Sequence, residues 1–406
     1  MEPEMQHAAR EEEPGGAGVN RAGAQAGLAS GPGTREIRGV DWIVNGSGGM
    51  RAAWSVAVFV ALYRLFDVIL GTMAMGFYPA VANNDFSPVT ALVSELVPLL
   101  AMLGAAAMVG LFEHRGIAEY NLRGPRRAIN FLSGLAAGFV ALSALVGALA
   151  WGGWLHFGAV ALTGTDVVRF GALWGCTFLL VGCNEEGIFR CFLQFTLTRS
   201  LNYRWALGIV GVACLDLFLR SRGNLGVVAF LWMRPLPAVT GGGAWGVYAV
   251  ALLGLGPCLW LELKKTEGAG FWQAAWVTST VFGFIHTSNN GENWIGIFAA
   301  AAIGFVFCVS IRVTGSAWWA IGCHAAWDWA ETYLYGTADS GLAAQGHLLT
   351  ASPAGNALWS GGTDGPEGSL LVLGIILLLL AALLAIYGRK REAAAVAAPS
   401  LRQAEG

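Results

Sequence analysis

The side chains with the means to do chemistry sit in three apolar stretches of this sequence. The first, 181-VGCNEEGIFRCFLQFTL-197, carries Glu185, Glu186 and Arg190. Glu186 and Arg190 are four apart, share one helix face and can form an ion pair. Glu185 points roughly 100° away from Glu186 and is left free to face a cavity. The bland reading is that the three charges neutralise one another, and the odd carboxylate argues against it. The second stretch, 281-VFGFIHTSNNGENW-294, places Phe282 and His286 one turn apart. A lone buried histidine is more often a satisfied core residue than a ligand, so this motif carries little by itself. The third, 321-IGCHAAWDWAETYL-334, sets His324, Asp328 and Glu331 on one stripe at i, i+4 and i+7. A carboxylate beside imidazoles can act as a general base toward water. Two histidines and a glutamate can instead ligate Zn²⁺ and leave its fourth position to water. Within a membrane the same groups also suit a proton relay.

The elements that carry these groups are membrane helices. The chain is 55% hydrophobic and 12% charged, with a mean hydropathy of +0.57, outside the range of soluble domains. A bilayer core takes about 20 apolar residues per helix. Ten segments meet that need: 54–79, 88–111, 130–151, 170–198, 204–219, 244–262, 271–290, 294–311, 314–336 and 368–387. The fold class is therefore all-α, a polytopic transmembrane bundle of about ten spans. A charge at mid-bilayer costs about 2.5–3.5 kcal/mol on insertion scales, so the three motifs call for a reason to exist. At about 1.5 Å per residue, Glu185 lies about 20 Å from the cytoplasmic end of its span, His286 about 22 Å and His324 about 15 Å. The three motifs thus share one plane near mid-membrane.

Residues 1–50 and 388–406 are polar and small, and are expected to be disordered tails. The start has no basic region followed by a short apolar stretch, so no cleaved signal peptide is expected. With the amino terminus in the cytoplasm, Arg115, Arg123, Arg126, Arg127, Lys264, Lys265, Arg389, Lys390 and Arg391 fall inside, against Arg169, Arg220, Arg222 and Arg234 outside. Both termini are then cytoplasmic. The seven cysteines fall in spans without a CxxC pair and read as buried apolar residues. Arg64 and Asp67 read as a neutralising pair, and Glu95 and Asp216 have no assignment. No basic stripe suggests nucleic acid.

In order, Glu185-Glu186-xxx-Arg190, Phe282-xxx-His286 and His324-xxx-Asp328 resemble the CPBP family of intramembrane proteases. That family comprises CAAX prenyl endopeptidases and bacteriocin-processing (Abi) relatives. The run 313-VTGSAWWAIGCHAAWDW-329 is similar to the family's Thr-Gly-Ser-x-Trp stretch as well. The resemblance covers about 170–336. It implies an endopeptidase that acts on a peptide or protein substrate in the lipid bilayer of a cell (inner) membrane of bacterial type. By it, Glu185 is the general base, helped by His286. His324 and Asp328 polarise the scissile carbonyl, and Glu186 and Arg190 hold the helix. No cofactor is the preferred expectation, with Zn²⁺ on His286, His324 and Glu185 as the alternative.

The resemblance divides the chain into N-terminal membrane helices over 51–169, a catalytic core over 170–336, an outer loop over 337–367 and a last span over 368–387. Two departures stand out. Asp328 occupies a position where Asn is commoner, and an ionised Asp opposes an oxyanion unless it is protonated, paired or oriented on His324. The core also holds an inserted helical pair at about 204–262. Two other functions compete: a proton-coupled transporter, against which no inverted repeat is detectable, and a non-catalytic bacteriocin-immunity protein that keeps the fold. Neither a prenylated CAAX end nor any other particular substrate can be read from the residues.

Overall fold

Each of the ten apolar segments is helical in the computed structural model, which describes residues 45–46, 49–83, 87–223, 243–289 and 291–388. The helices are α1 (Ala52–Phe77), α2 (Pro88–Glu113), α3 (Arg127–Trp151), α4 (Thr165–Glu186), α5 (Tyr203–Ser221), α6 (Gly243–Leu263), α7 (Ala269–His286), α8 (Trp294–Thr314), α9 (Trp318–Trp329) and α10 (Leu370–Leu383). Three of them run on through π-helical turns: α4 through Gly187–Leu193 and then Gln194–Thr198, α9 through Ala330–Tyr335, and α10 through Leu384–Gly388. All but Asn45 and Gly46 belong to one unit, Gly48–Gly406. The tails expected to be disordered lie almost wholly outside the described residues, as does the segment between the inserted helices.

The bundle buries charged and polar side chains within an apolar core and exposes large apolar ones. Glu186, Arg190, Gln194, Asp216, Gln273 and Ser310 are buried, while Leu65, Val68, Phe77, Leu252, Leu377 and Leu378 are exposed. Apolar area left in water costs about 25 cal/mol per Å², so this surface belongs against lipid. Six helical segments are long and apolar enough to cross a bilayer: Ala52–Phe77, Pro88–Glu113, Arg127–Trp151, Thr165–Thr198, Trp294–Thr314 and Leu370–Gly388. Helices α5, α7 and α9 fall short of that measure, and within α6 the stretch Tyr248–Leu263 is apolar. α7 and α9 are largely enclosed by their neighbours. A helix shielded by protein has no need of a uniformly apolar surface.

Small residues set the packing. Gly134 and Gly138 on α3 form a GxxxG pair facing α9. A Cβ at either would collide with the carbonyl of Trp319 or of Cys323, and one at Gly322 would strike the carbonyl of Phe131. Backbones at such range gain dispersion contacts that lipid cannot replace. On the other side of α9, a Cβ at Gly182 of α4 would lie 3.0 Å from the Ile321 carbonyl oxygen. His324 follows directly on Cys323, so its depth and direction are set by glycines on two helices.

The ends of α8 and α9 are fixed as firmly. Asn293 caps α8 by accepting from the N–H groups of Ile295 (2.8 Å) and Gly296 (3.2 Å). Gly315 ends α8 with φ +84°, which favours glycine. The chain then docks on the turn before α3: Ala317 N–H donates to the Asn121 carbonyl at 2.9 Å and the Trp318 indole to Leu122 at 3.0 Å. These contacts account structurally for the Thr-Gly-Ser-x-Trp stretch.

One expectation needs correction, and one loop holds more structure than its composition suggests. Cys176 faces outward rather than into the bundle, where lipid is an equally apolar surrounding. The segment 337–367 is partly ordered as a strand, β2 (Leu349–Pro353), paired antiparallel with β1 (Leu155–Val160). The pairing satisfies backbone groups of both connections. Arg64 and Asp67 do pair, at 2.6 Å. We propose that all ten helices cross, with both termini cytoplasmic. Reporter fusions after Arg127 and Lys265 should then report cytoplasm and one at Gly355 the opposite side; a cytoplasmic signal at Gly355 overturns the arrangement.

Candidate active site

The centre of the site is a carboxylate shared by a cation and an imidazole. Glu186, fully buried at the end of α4, lies 3.1 Å through Oε2 from Arg190 Nε, in an ion pair rather than an aligned hydrogen bond. Its Oε1 is 2.9 Å from His324 Nδ1. A carboxylate paired with Arg190 only accepts, so Nδ1 carries the proton and the Nε2 edge of His324 is turned toward the reacting side. Nε2 is 3.4 Å from Asp328 Oδ2 and 3.8 Å from Glu185 Oε2. Glu185 is the most open of these groups, with 31% of its side chain exposed. Access to Nε2 is therefore from the Glu185 side.

Arg190 finds few hydrogen-bond acceptors. Its guanidinium nitrogens have none, and it lies instead over the ring of Phe282 at 4.2 Å and near those of Phe307 and Phe189 at 5.4 and 5.7 Å. A desolvated cation over an aromatic face gains about 2 kcal/mol or more. Gly304 leaves room for the guanidinium, which a Cβ there would strike. The π turn that holds Arg190 is pinned by Asn121, whose amide donates to the Arg190 carbonyl at 2.8 Å. Single π turns tend to occur at functional sites, where they re-aim side chains.

His286 is brought near without touching the cluster. Its Nδ1 is 2.8 Å from the Phe282 carbonyl, which only accepts, so Nδ1 donates and Nε2 is left for the cavity. It shares with His324 the wall of a cavity of about 60 Å³, together with Phe307, Trp327, Ser340 and Glu367. That is room for a few waters rather than for a peptide. Glu185 and Asp328 do not line this cavity. The inserted helices bear on His286 through Arg220, which is buried, pairs with Asp216 at 3.2 Å and donates to the carbonyl of Thr287 at 2.6 Å. Sequence reasoning placed Arg220 among the outer-side cations; the Asp216-xxx-Arg220 spacing was the signal that it is internal.

Of the sequence-derived residues, Glu185, Glu186, Arg190, His324 and Asp328 form one contiguous set, and His286 faces the adjoining cavity. Among the described residues, three metal-ligating atoms come within 4.8 Å of one another at Glu331, Asp339 and Glu367, and not at Glu185, His286 and His324. Tetrahedral zinc at about 2.0–2.3 Å from its donors needs them closer than that. Outside the spans, burial and the neighbouring charges of Asp339 and Glu185 raise Glu292 to about 8. Burial and Glu292 raise Asp364 to about 8. The loops beside the site thus keep protons on carboxylates near neutral pH.

The shared carboxylate yields a prediction. Glu186→Gln leaves Arg190 uncompensated and should cost about 3–5 kcal/mol of stability, whereas Glu185→Gln, more exposed and only loosely paired, should leave the melting temperature near wild type. Thermal unfolding of both variants in detergent is the check, and equal melting temperatures would contradict the arrangement.

Residues 253–330, under a quarter of the chain, match the family model described as type II CAAX prenyl endopeptidase Rce1-like. The match takes in Phe282, His286, His324 and Asp328; Glu185, Glu186 and Arg190 lie upstream of it. No curated protein and no solved structure matches the chain. The stretch of this multi-pass membrane bundle that holds the second and third motifs is thus similar to the Rce1-like domain of the CAAX proteases.

Proposed function

We propose that this protein is an intramembrane endopeptidase that hydrolyses membrane-associated or CAAX-like peptides with water activated by Glu185. The observation that carries the reading is His324, held through Nδ1 by Glu186, with Nε2 turned toward Glu185 and Asp328. A water between Glu185 and the scissile carbonyl gives a proton to the carboxylate while its oxygen attacks the carbonyl carbon. The carbonyl oxygen takes the electron pair, and His324, carrying a proton on both ring nitrogens among the carboxylates of Glu186, Asp328 and Glu185, donates Nε2–H to it. Such preorganised donors are worth about 2.7–4 kcal/mol each in a water-poor site. The C–N bond then breaks and Glu185 returns the proton to the leaving amine. His286 orders cavity water through its Nε2. Asp328 orients His324 at the same Nε2 edge, opposite Glu186 on Nδ1.

The donor set Glu185, His286 and His324 is not gathered tightly enough for zinc, and no step is routed through a metal. The substrate's end is met from the side of Glu185, since the cavity between His286 and His324 is too small for a peptide.

Glu185→Gln should lower peptidase turnover by about 10²-fold or more, the lower bound for a general base. Assay in proteoliposomes with a membrane-anchored reporter peptide reads this, and a variant that keeps a tenth of wild-type turnover refutes the assignment. Asp328→Asn should keep or raise activity, because it holds His324 without opposing an oxyanion. Turnover should persist after strong chelation, with zinc well below one per chain by elemental analysis. One zinc per chain, lost in both His286→Ala and His324→Ala, would overturn the metal-free route and leave the endopeptidase standing.

A further inference from the structure

One turn beyond Asp328, α9 leads into a second acidic group that the hydrolytic scheme does not use. Glu331 in the π turn, Asp339 in the following loop and Glu367 in the short 3₁₀ turn Pro366–Gly368 bring carboxylate oxygens within 4.8 Å of one another. Their neutral donors are few. The Trp327 indole N–H serves two carboxylates, Glu331 Oε2 at 3.1 Å and Glu367 Oε1 at 2.7 Å. Ser340 donates to Glu367 Oε2 at 3.2 Å and Thr332 to Asp339 Oδ2 at 2.9 Å. Among the described residues none of the three carboxylates makes an ion pair.

An independent feature points to a ligand. Glu331 is fully buried, and its Oε1 has no hydrogen-bond partner. A sealed carboxylate oxygen left bare costs about 1–3 kcal/mol or more, and the cost rises if the group is charged. That oxygen belongs to the carboxyl group that faces Asp339 and Glu367. The two loop arms are tied to each other, with Gly341 N–H donating to the Asp364 carbonyl at 3.0 Å. The carboxylates are thus held in place by backbone and do not converge by side-chain reach alone.

We propose that Glu331, Asp339 and Glu367 bind a hard divalent cation of the calcium, magnesium and manganese class. An all-oxygen set excludes soft-metal preference. Three oxygens mutually within 4.8 Å lie at most about 2.8 Å from a common centre, so a small side-chain adjustment brings them to the about 2.3–2.6 Å of Ca²⁺–O bonds. The ion cross-links the end of α9 to both arms of the outer loop. Ser340 and Glu367, on those arms, also wall the cavity of His286 and His324. Its role is structural, and it does not depend on the hydrolytic reading.

The test uses the full-length protein in detergent, stripped with chelator and examined without any activity assay. Equilibrium dialysis against Ca²⁺, Mg²⁺ and Mn²⁺ separately should show one saturable site per chain for at least one ion, with a matching rise in melting temperature. Glu367→Gln and Asp339→Asn should each weaken that site by at least about tenfold, the low end of what even outer-shell changes cost. No saturable binding of any of the three ions to wild type overturns the proposal and leaves the cluster held by protons. Undiminished binding in both variants overturns it equally, since the ion then sits elsewhere. Should the variants not fold, dialysis of wild type decides alone.

Discussion

The Glu186 carboxylate, enclosed on every side and divided between Arg190 and His324, is the constraint on which the rest of this bundle depends. Two buried charges repay their desolvation only when the geometry is good and the remaining polar edges are met. Here the anion is met on both oxygens, and the cation is met by rings instead of acceptors. Phe282 therefore does two jobs. Its ring lies under Arg190, and its carbonyl fixes the tautomer of His286. The first and second motifs are physically one unit, joined at a phenylalanine.

That unit needs close helices, and the sequence supplies them through absence of side chain. Gly134, Gly138 and Gly322 let α3 and α9 meet backbone to backbone, and Gly304 admits the guanidinium from α8. A larger residue at any of them would move His324 or Arg190 by more than the tolerance of a 2.9 Å hydrogen bond. Thr278 and Gln194 complete the seam between the end of α4 and α7, with the hydroxyl donating to Gln194 Oε1 at 3.1 Å. Inside lipid such polar contacts add to packing where no hydrophobic force acts between helices.

Local spacing made part of this legible. The Glu186–Arg190 pair, the Arg64–Asp67 pair and the helical nature of all ten apolar segments follow from i, i+3 and i+4 patterns and run length, and the structure agrees with each. That Glu185, His286 and His324 can converge was anticipated from depth, a necessary condition for contact, and Asp328 was added by the family resemblance. What depth cannot give is rotation. Glu186 was assigned to hold its helix, yet it also orients His324, a partner 138 residues away. Arg220 looked like an outer cation because its partner across the bundle, Thr287, is invisible to a count of charges. The carboxylates of Glu331, Asp339 and Glu367 are spread over two elements and a loop, and only Glu331 fell on a recognisable stripe. Hydropathy likewise overstated what composition can prove about crossing, because α7 and α9 are shielded by protein and need not be uniformly apolar.

Helix α9 joins the two acidic regions within little more than two turns. His324 and Asp328 face the buried carboxylate at one level, and Glu331 faces the loop carboxylates of Asp339 and Glu367 at the next. The π turn Ala330–Tyr335 begins between Asp328 and Glu331 and contains Glu331. An extra residue in a turn rotates the later side chains relative to the earlier ones, so Glu331 leaves the stripe of an ideal α-helix while His324 and Asp328 keep theirs. One helix can then present imidazole and carboxylate inward and a second carboxylate outward, with the Trp327 indole spanning Glu331 and Glu367 at the boundary. Whatever charge state the outer group adopts, its field and its hold on the loop act on the same rigid element that carries His324. The glycine contacts with α3 and α4 resist any shift of that element, so the outer loop bears on the site through Ser340, Glu367 and the shared cavity wall rather than by moving the helix itself.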